Sequence, residues 1–188
     1  MSEPCDWRLR RAVRVLRAGG VVAYPTEAVY GLGCDPFDES AVMRVLALKR
    51  RAPHQGLIVI AADVDQLRPL LLPQPRSVMA PVLESWPGPS TWLLPASANA
   101  PAWITGGRDS IAVRVTAHAL ASRLCRAFAA PLVSTSANRS GRPAARTALG
   151  ARRIFGTQVD YYLGGATGGA ARPSTIRDAR DGRVVRAG

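Results

Sequence analysis

Two stretches of the chain gather the side chains that phosphate and carboxylate chemistry needs. The first is Tyr24-Pro25-Thr26-Glu27-Ala28-Val29-Tyr30-Gly31-Leu32-Gly33, where hydroxyl, carboxylate and phenol groups precede glycines that let a backbone approach a ligand closely. A structural turn accounts for the proline and the glycines but hardly needs Thr26 and Glu27. The second is Pro131-Leu132-Val133-Ser134-Thr135-Ser136-Ala137-Asn138-Arg139-Ser140-Gly141, an apolar run that passes into hydroxyls, an amide and a glycine. Small polar groups at a strand end suit phosphate or carboxylate oxygens, and a helix N-cap followed by a turn fits them equally well.

Cations form a third group. Lys49 is the single lysine beside 24 arginines and stands in Lys49-Arg50-Arg51. An ammonium is a compact point charge with three rotatable donors and a movable pKa, whereas a guanidinium is a fixed planar fork. The same count also fits chance in an arginine-biased composition. A Schiff-base role for Lys49 lacks an obvious acid-base neighbour and would show itself by borohydride trapping. Arg114 interrupts the apolar run Ile111 to Val115, and arginine is rarely buried without an anion.

Other nucleotide and hydrolase signatures are missing. Leu48 and Arg50 flank the only lysine, so there is no Gly-Lys-Ser/Thr phosphate loop, and no Gly-x-Gly-x-x-Gly follows a strand. Gly-x-Ser-x-Gly is also absent, and His54 and His118 are the only imidazoles, which disfavours a serine hydrolase and a zinc site of local spacing. Gly164-Gly165-Ala166-Thr167-Gly168-Gly169 is not opened by a clear helix and reads as a mobile loop more than as a phosphate cradle.

The elements that must carry these residues follow from hydrophobic spacing. Leu9, Ala12, Val13 and Leu16 predict an amphipathic helix from Trp7 to Ala18, ended by Gly19-Gly20. A strand from Val21 to Tyr24 stops at Pro25. A helix from Glu39 to Arg50, with Ser40 near its start, brings Lys49 and Arg51 to a C-terminal end, where the dipole favours cations. Apolar strands are expected at 57–60, 92–94, 111–115 and 131–134, with a helix at 117–129 and short closing strands at 159–163, 174–177 and 183–186. Strands alternating with helices predict a layered α/β fold with buried strands.

Composition bounds the rest. The 188 residues suit one domain, 1–188, and the proline-rich stretch Leu72-Pro73-Gln74-Pro75 reads as a loop inside it. Apolar content of 47% argues against disorder, and a net charge of +12 calls for a partner of opposite sign: nucleotide phosphates, a nucleic-acid backbone or an anionic surface. Cys5, Cys34 and Cys125 are odd in number and widely spaced, as expected of reduced thiols in the cytoplasm. No signal peptide and no membrane span are evident.

Taken together, these segments resemble the TsaC (YrdC) family of threonylcarbamoyl-AMP synthases. The family's marks are a Tyr-Pro-Thr-Glu-x-x-Tyr/Phe-Gly loop, Lys-x-Arg, and Ser-x-Asn before Ser-Gly. They match Tyr24 to Gly31, Lys49-Arg50-Arg51, and Ser136-Ala137-Asn138 with Ser140-Gly141. Trp86-Pro87-Gly88-Pro89, Ala112-Val113-Arg114-Val115 and Pro173-Ser174-Thr175-Ile176-Arg177-Asp178 extend the match over almost the whole chain. The resemblance is to the short branch, without the linker and C-terminal domain of the longer one.

The resemblance implies a twisted mixed β-sheet flanked by helices, with a concave positive cleft. It implies that L-threonine, bicarbonate and ATP give threonylcarbamoyl-adenylate and pyrophosphate, for t6A modification of adenosine 37 in tRNAs reading ANN codons. Lys49, Arg51, Ser136 and Asn138 would then carry catalysis at the ATP site, with Arg186 as a further nucleotide contact. Thr26, Arg114, Ser134 and Ser174 would hold threonine, Arg114 taking its carboxylate. Magnesium would arrive on ATP rather than in a protein metal site, and other t6A-pathway proteins would take the adenylate. The chain departs from the family pattern at Ala52-Pro53-His54-Gln55, after Lys-x-Arg, and carries Ile60 where the longer branch has a threonine-contacting histidine.

Two rival readings make different demands. A non-catalytic module binding tRNA or structured RNA through the basic cleft predicts affinity that falls steeply with salt. A carbamoyl-phosphate-using domain of the hydrogenase-maturation type would be expected with zinc-finger cysteines and an appended transferase, which this chain lacks.

Overall fold

Leu9, Ala12, Val13 and Leu16 are the buried face of the first helix, α1 (Trp7–Arg17), and Asp6 caps it by accepting the Arg8 N–H. The computed structural model describes residues 6–187, so Cys5 lies outside the described residues. After α1 come β1 (Val22–Pro25), β2 (Tyr30–Gly33), α2 (Glu39–Lys49), β3 (Ile58–Ala61), α3 (Arg76–Glu84), β4 (Ser90–Pro95) and α4 (Ala102–Thr105). The chain continues through β5 (Ser110–Val115), α5 (Ala119–Phe128), β6 (Leu132–Val133), β7 (Thr135–Ser136), α6 (Ala148–Phe155), β8 (Tyr161–Tyr162), β9 (Thr175–Asp178) and β10 (Val184–Arg186).

The strands form two mixed sheets, ordered β7-β2-β1-β8 and β10-β9-β4-β5-β3-β6. Half of the loop expected after Tyr24 is therefore a strand. Pro25 pairs with Tyr30 and Val22 with Gly33 in an antiparallel hairpin, and the Thr26 N–H closes its turn onto Val29 O at 3.0 Å. In the second sheet β3 and β5 are parallel, with Ile60 opposite Arg114, and β4 lies antiparallel to β5 on its other side.

Strand alternation divides the core in two. Val21, Ala23, Val59 and Ala61 face one cluster, which takes in Val42, Val45 and Leu46 of α2, Val113 of β5 and Phe155 of α6. Val22, Tyr24, Ile60 and Ala62 face the other, under α1 and α5. Both faces of β1 and β3 are thus covered, which is why their sequences are apolar throughout instead of alternating. Cys34 and Cys125 are free thiols inside these clusters, and burial pushes the Cys125 thiol up to about 12.

The chain changes sheet at one residue. Leu132 pairs with Ile60 in the second sheet, Thr135 pairs with Leu32 in the first, and Ser134 lies between them. Helix α2 starts at Glu39 as expected and is capped by Asp38, whose carboxylate accepts the Ala41 N–H at 3.0 Å. It ends with Arg50 in the left-handed region, φ 53°. That turn releases Arg51 from the helix axis while Lys49 stays within its last turn.

Candidate active site

The change of sheet at Ser134 leaves a cleft where the β1–β2 connection, the segment 51–58, β5 and the segment 172–186 meet. It encloses about 410 Å³, within the range of small-molecule sites. Five arginines line it: Arg51, Arg108, Arg114, Arg172 and Arg186. Glu27 is the one carboxylate among the described lining residues. Charge of one sign is therefore concentrated in a concave wall, which favours a polyanionic ligand.

The cations sit on fixed supports. Arg51 donates from Nε and Nη2 to Gly56 O at 3.2 and 2.9 Å, so its guanidinium both shapes the 53–56 loop and faces the cavity. Burial, then the charges of Arg186 and Arg108, lower its pKa, as crowded like charges must. Arg186 donates to Ser174 O at 3.3 Å, and burial followed by the charge of Arg114 lowers its pKa too.

Arg114 Nη2 lies 3.3 Å from Glu27 Oε2, and the buried Arg114 Nε has no hydrogen-bond partner. Glu27 is held from its other oxygen, which accepts from Thr116 Oγ1 at 2.7 Å and from the Ala117 N–H at 3.2 Å. Thr26 donates its hydroxyl to Val29 O at 2.7 Å and lines the cavity. Ser134 is buried on the cavity floor, and Ser174 accepts from Thr91 Oγ1 at 2.8 Å.

Two of the sequence-derived site residues stand behind the wall rather than in it. Lys49 is only 3% exposed, and its ammonium donates to Ser136 O, to Asn138 O at 3.0 Å and to Asn138 Oδ1 at 2.9 Å. All three donors are thereby used within the protein. Asn138 Oδ1 also accepts from Ser136 Oγ at 2.7 Å, and its amide nitrogen donates to Arg142 O. The pair acts as a buttress that sets the Ser134 to Ser136 edge of the cavity. Burial, then the charge of Arg51, brings the Lys49 pKa down to about 8.

Thr26, Arg51, Arg114, Ser134, Ser136, Ser174 and Arg186 all reach the cavity. Ile60 is fully buried in the α1–α5 cluster, so it plays no part in the cavity wall. Sequence reasoning missed Arg108 and Arg172. Arg172 stands next to the Pro173-Ser174 motif and was within reach, whereas nothing in the sequence around Arg108 sets it apart.

A family model, Sua5/YciO/YrdC, described as telomere recombination, matches residues 14–188. The chain belongs to this Sua5/YciO/YrdC family. Threonylcarbamoyl-AMP synthase of Nitrosococcus oceani is 54% identical over 181 residues, 96% of this chain and 98% of that protein. The Halorhodospira halophila protein of the same name is 56% identical over 180 residues, 96% of this chain and 94% of its own length. P. abyssi Sua5 complexed with L-threonine superposes with a TM-score of 0.88 at 36% identity, over 94% of this chain. This chain spans about half, 52%, of that longer Sua5 family member. Among the described residues no helix is long and apolar enough to cross a membrane, and no three His, Cys, Asp or Glu gather as a metal cluster would require.

Proposed function

We propose that this cleft condenses L-threonine, bicarbonate and ATP into threonylcarbamoyl-AMP and pyrophosphate. The observation that carries the reading is the asymmetry of the cavity. Arg108 and Arg186 act on Arg51 by their charge, a crowding of cations that suits a polyanion, while Arg114 keeps a partnerless Nε and has Glu27 3.3 Å from its Nη2. A triphosphate would match the crowded arginines, and an amino-acid carboxylate would satisfy Arg114.

The chemistry follows from this polarity. The threonine amine adds to bicarbonate with loss of water, giving a carbamate that is labile in bulk solvent. A carbamate oxygen then attacks the α-phosphorus, and the bond to the β-phosphate oxygen breaks to release pyrophosphate. Charge builds on phosphate oxygens, where fixed arginines stabilise it without reorganising. No carboxylate is needed as a metal ligand, and Glu27 is already committed to Thr116, Ala117 and Arg114. Magnesium would be held by the phosphates of ATP, where it would offset their charge. The adenylate passes to other t6A-pathway proteins for modification of tRNA.

Pyrophosphate release is the direct test. The expected result is release that requires threonine and bicarbonate together. Release that continues without threonine would overturn the proposal.

A further inference from the structure

The glycine-rich segment 164–170 has no part in the reaction as described above. It lies across the Pro25 to Glu27 connection as a strap. A Cβ at Gly165 would stand 2.8 Å from Leu120 Cδ2 and 3.1 Å from Pro25 Cγ, and one at Gly168 would stand 3.1 Å from the Glu27 backbone. The strap is tied to that connection by its own amides, Gly168 N–H to Thr26 O at 3.0 Å and Ala170 N–H to Glu27 O at 2.9 Å. Further along it becomes the cavity wall at Arg172 and Ser174.

Two side chains fasten its near end. The Tyr30 hydroxyl donates to Gly165 O at 2.6 Å and accepts the Gly165 N–H at 3.0 Å, so one phenol satisfies both polar groups of one residue. His118 Nδ1 accepts the Ala121 N–H at 3.3 Å, which assigns the proton to Nε2, and Nε2 reaches Ala166 O at 3.0 Å. The Tyr30 ring is fully buried in the main core cluster. Packing there would be satisfied by phenylalanine, so the hydroxyl serves the strap.

We propose that Tyr30 is a positioning residue for threonine binding, its hydroxyl latching strap 164–170 over the Thr26 to Glu27 connection. The strap holds the Thr26 and Glu27 carbonyls, and Glu27 in turn faces Arg114, so a loosened strap blurs the Thr26–Arg114 side while leaving Arg51, held by Gly56 O, in place. The proposal rests on threonine occupying the Thr26–Arg114 end of the cavity.

Tyr30→Phe is the test, with hydrogen exchange and steady-state kinetics as readouts. For the loss of two hydrogen bonds, amide exchange across 165–170 is expected to quicken about tenfold or more, and KM for threonine to rise roughly five- to twentyfold. Turnover at saturating threonine and KM for ATP should each stay within about twofold. Unchanged exchange overturns the latch, and faster exchange with unchanged threonine KM overturns the positioning role. Gly168→Ala lifts the strap with Tyr30 intact and should give the same split; an unchanged threonine KM there counts equally against the proposal. Thr26→Ala separates the two levels: if it leaves threonine KM unchanged, threonine does not sit at this end. If Thr26→Ala raises threonine KM and Tyr30→Phe does not, the latch alone is wrong.

Discussion

Lys49 combines a rare residue type with a buried position. Its rarity and its place in Lys-x-Arg point to a phosphate-holding cation, and in the structure its ammonium donates to Ser136 and Asn138. Lys49→Arg is therefore expected to lower pyrophosphate release about tenfold or more, because a planar fork cannot serve three converging acceptors in so small a space. Full activity in that variant would show that charge alone suffices. Lys49→Ala strands the same oxygens and should cost about 1–3 kcal/mol in denaturant unfolding. The pH dependence has a defined sign. With the folded pKa at about 8 against an ordinary 10.5, the cost of burying the ammonium is fully present below pH 8 and is relieved as pH rises from 8 to 10.5. Turnover should fall over the same rise, as the neutral amine gives up one of its three donors. Motif residues were legible in the sequence because they cluster. Arg108 was not, since only folding brings it beside Arg51.

At the scale of elements, Asp160 holds the edge of the first sheet. Its Oδ2 accepts the Val21 N–H at 2.7 Å, and Arg44 of α2 donates to both its oxygens at 3.1 and 2.9 Å. Burial alone would raise its pKa, but Arg44 and the Val21 N–H outweigh burial and lower it. Because the group is partly exposed, Asp160→Ala is expected to cost about 1–2 kcal/mol by chemical denaturation. The contribution is present above the ordinary carboxylate pKa and is lost as pH falls through the depressed folded value, so wild type and variant should converge in acid. Long apolar runs made β1, β3 and β5 legible, and 3.6-residue periodicity did the same for α1, α2 and α5. Strand β2 was hidden because two of its four residues are glycines, and β7 because it has only two residues. Helix α3 was hidden by Pro81, which sits inside it.

For the whole molecule, the excess of positive charge is directed into the cleft as well as spread over α1. ATP affinity should weaken as ionic strength rises, and threonine affinity less so, because a triphosphate would meet several of the five lining arginines and a carboxylate would meet one. Titrations at two salt concentrations would check this, and equal salt dependence for both ligands would contradict the charge asymmetry. The passage of the chain from one sheet to the other at Ser134 has a consequence for folding. The first sheet takes β1 and β2 from the beginning of the sequence and β7 and β8 from well beyond the middle, with most of the second sheet threaded between them. Neither sheet can be completed from a contiguous stretch, so neither is an autonomous folding unit. Calorimetry should give a single cooperative endotherm, and a protease cut between β2 and β7 should release no stable half.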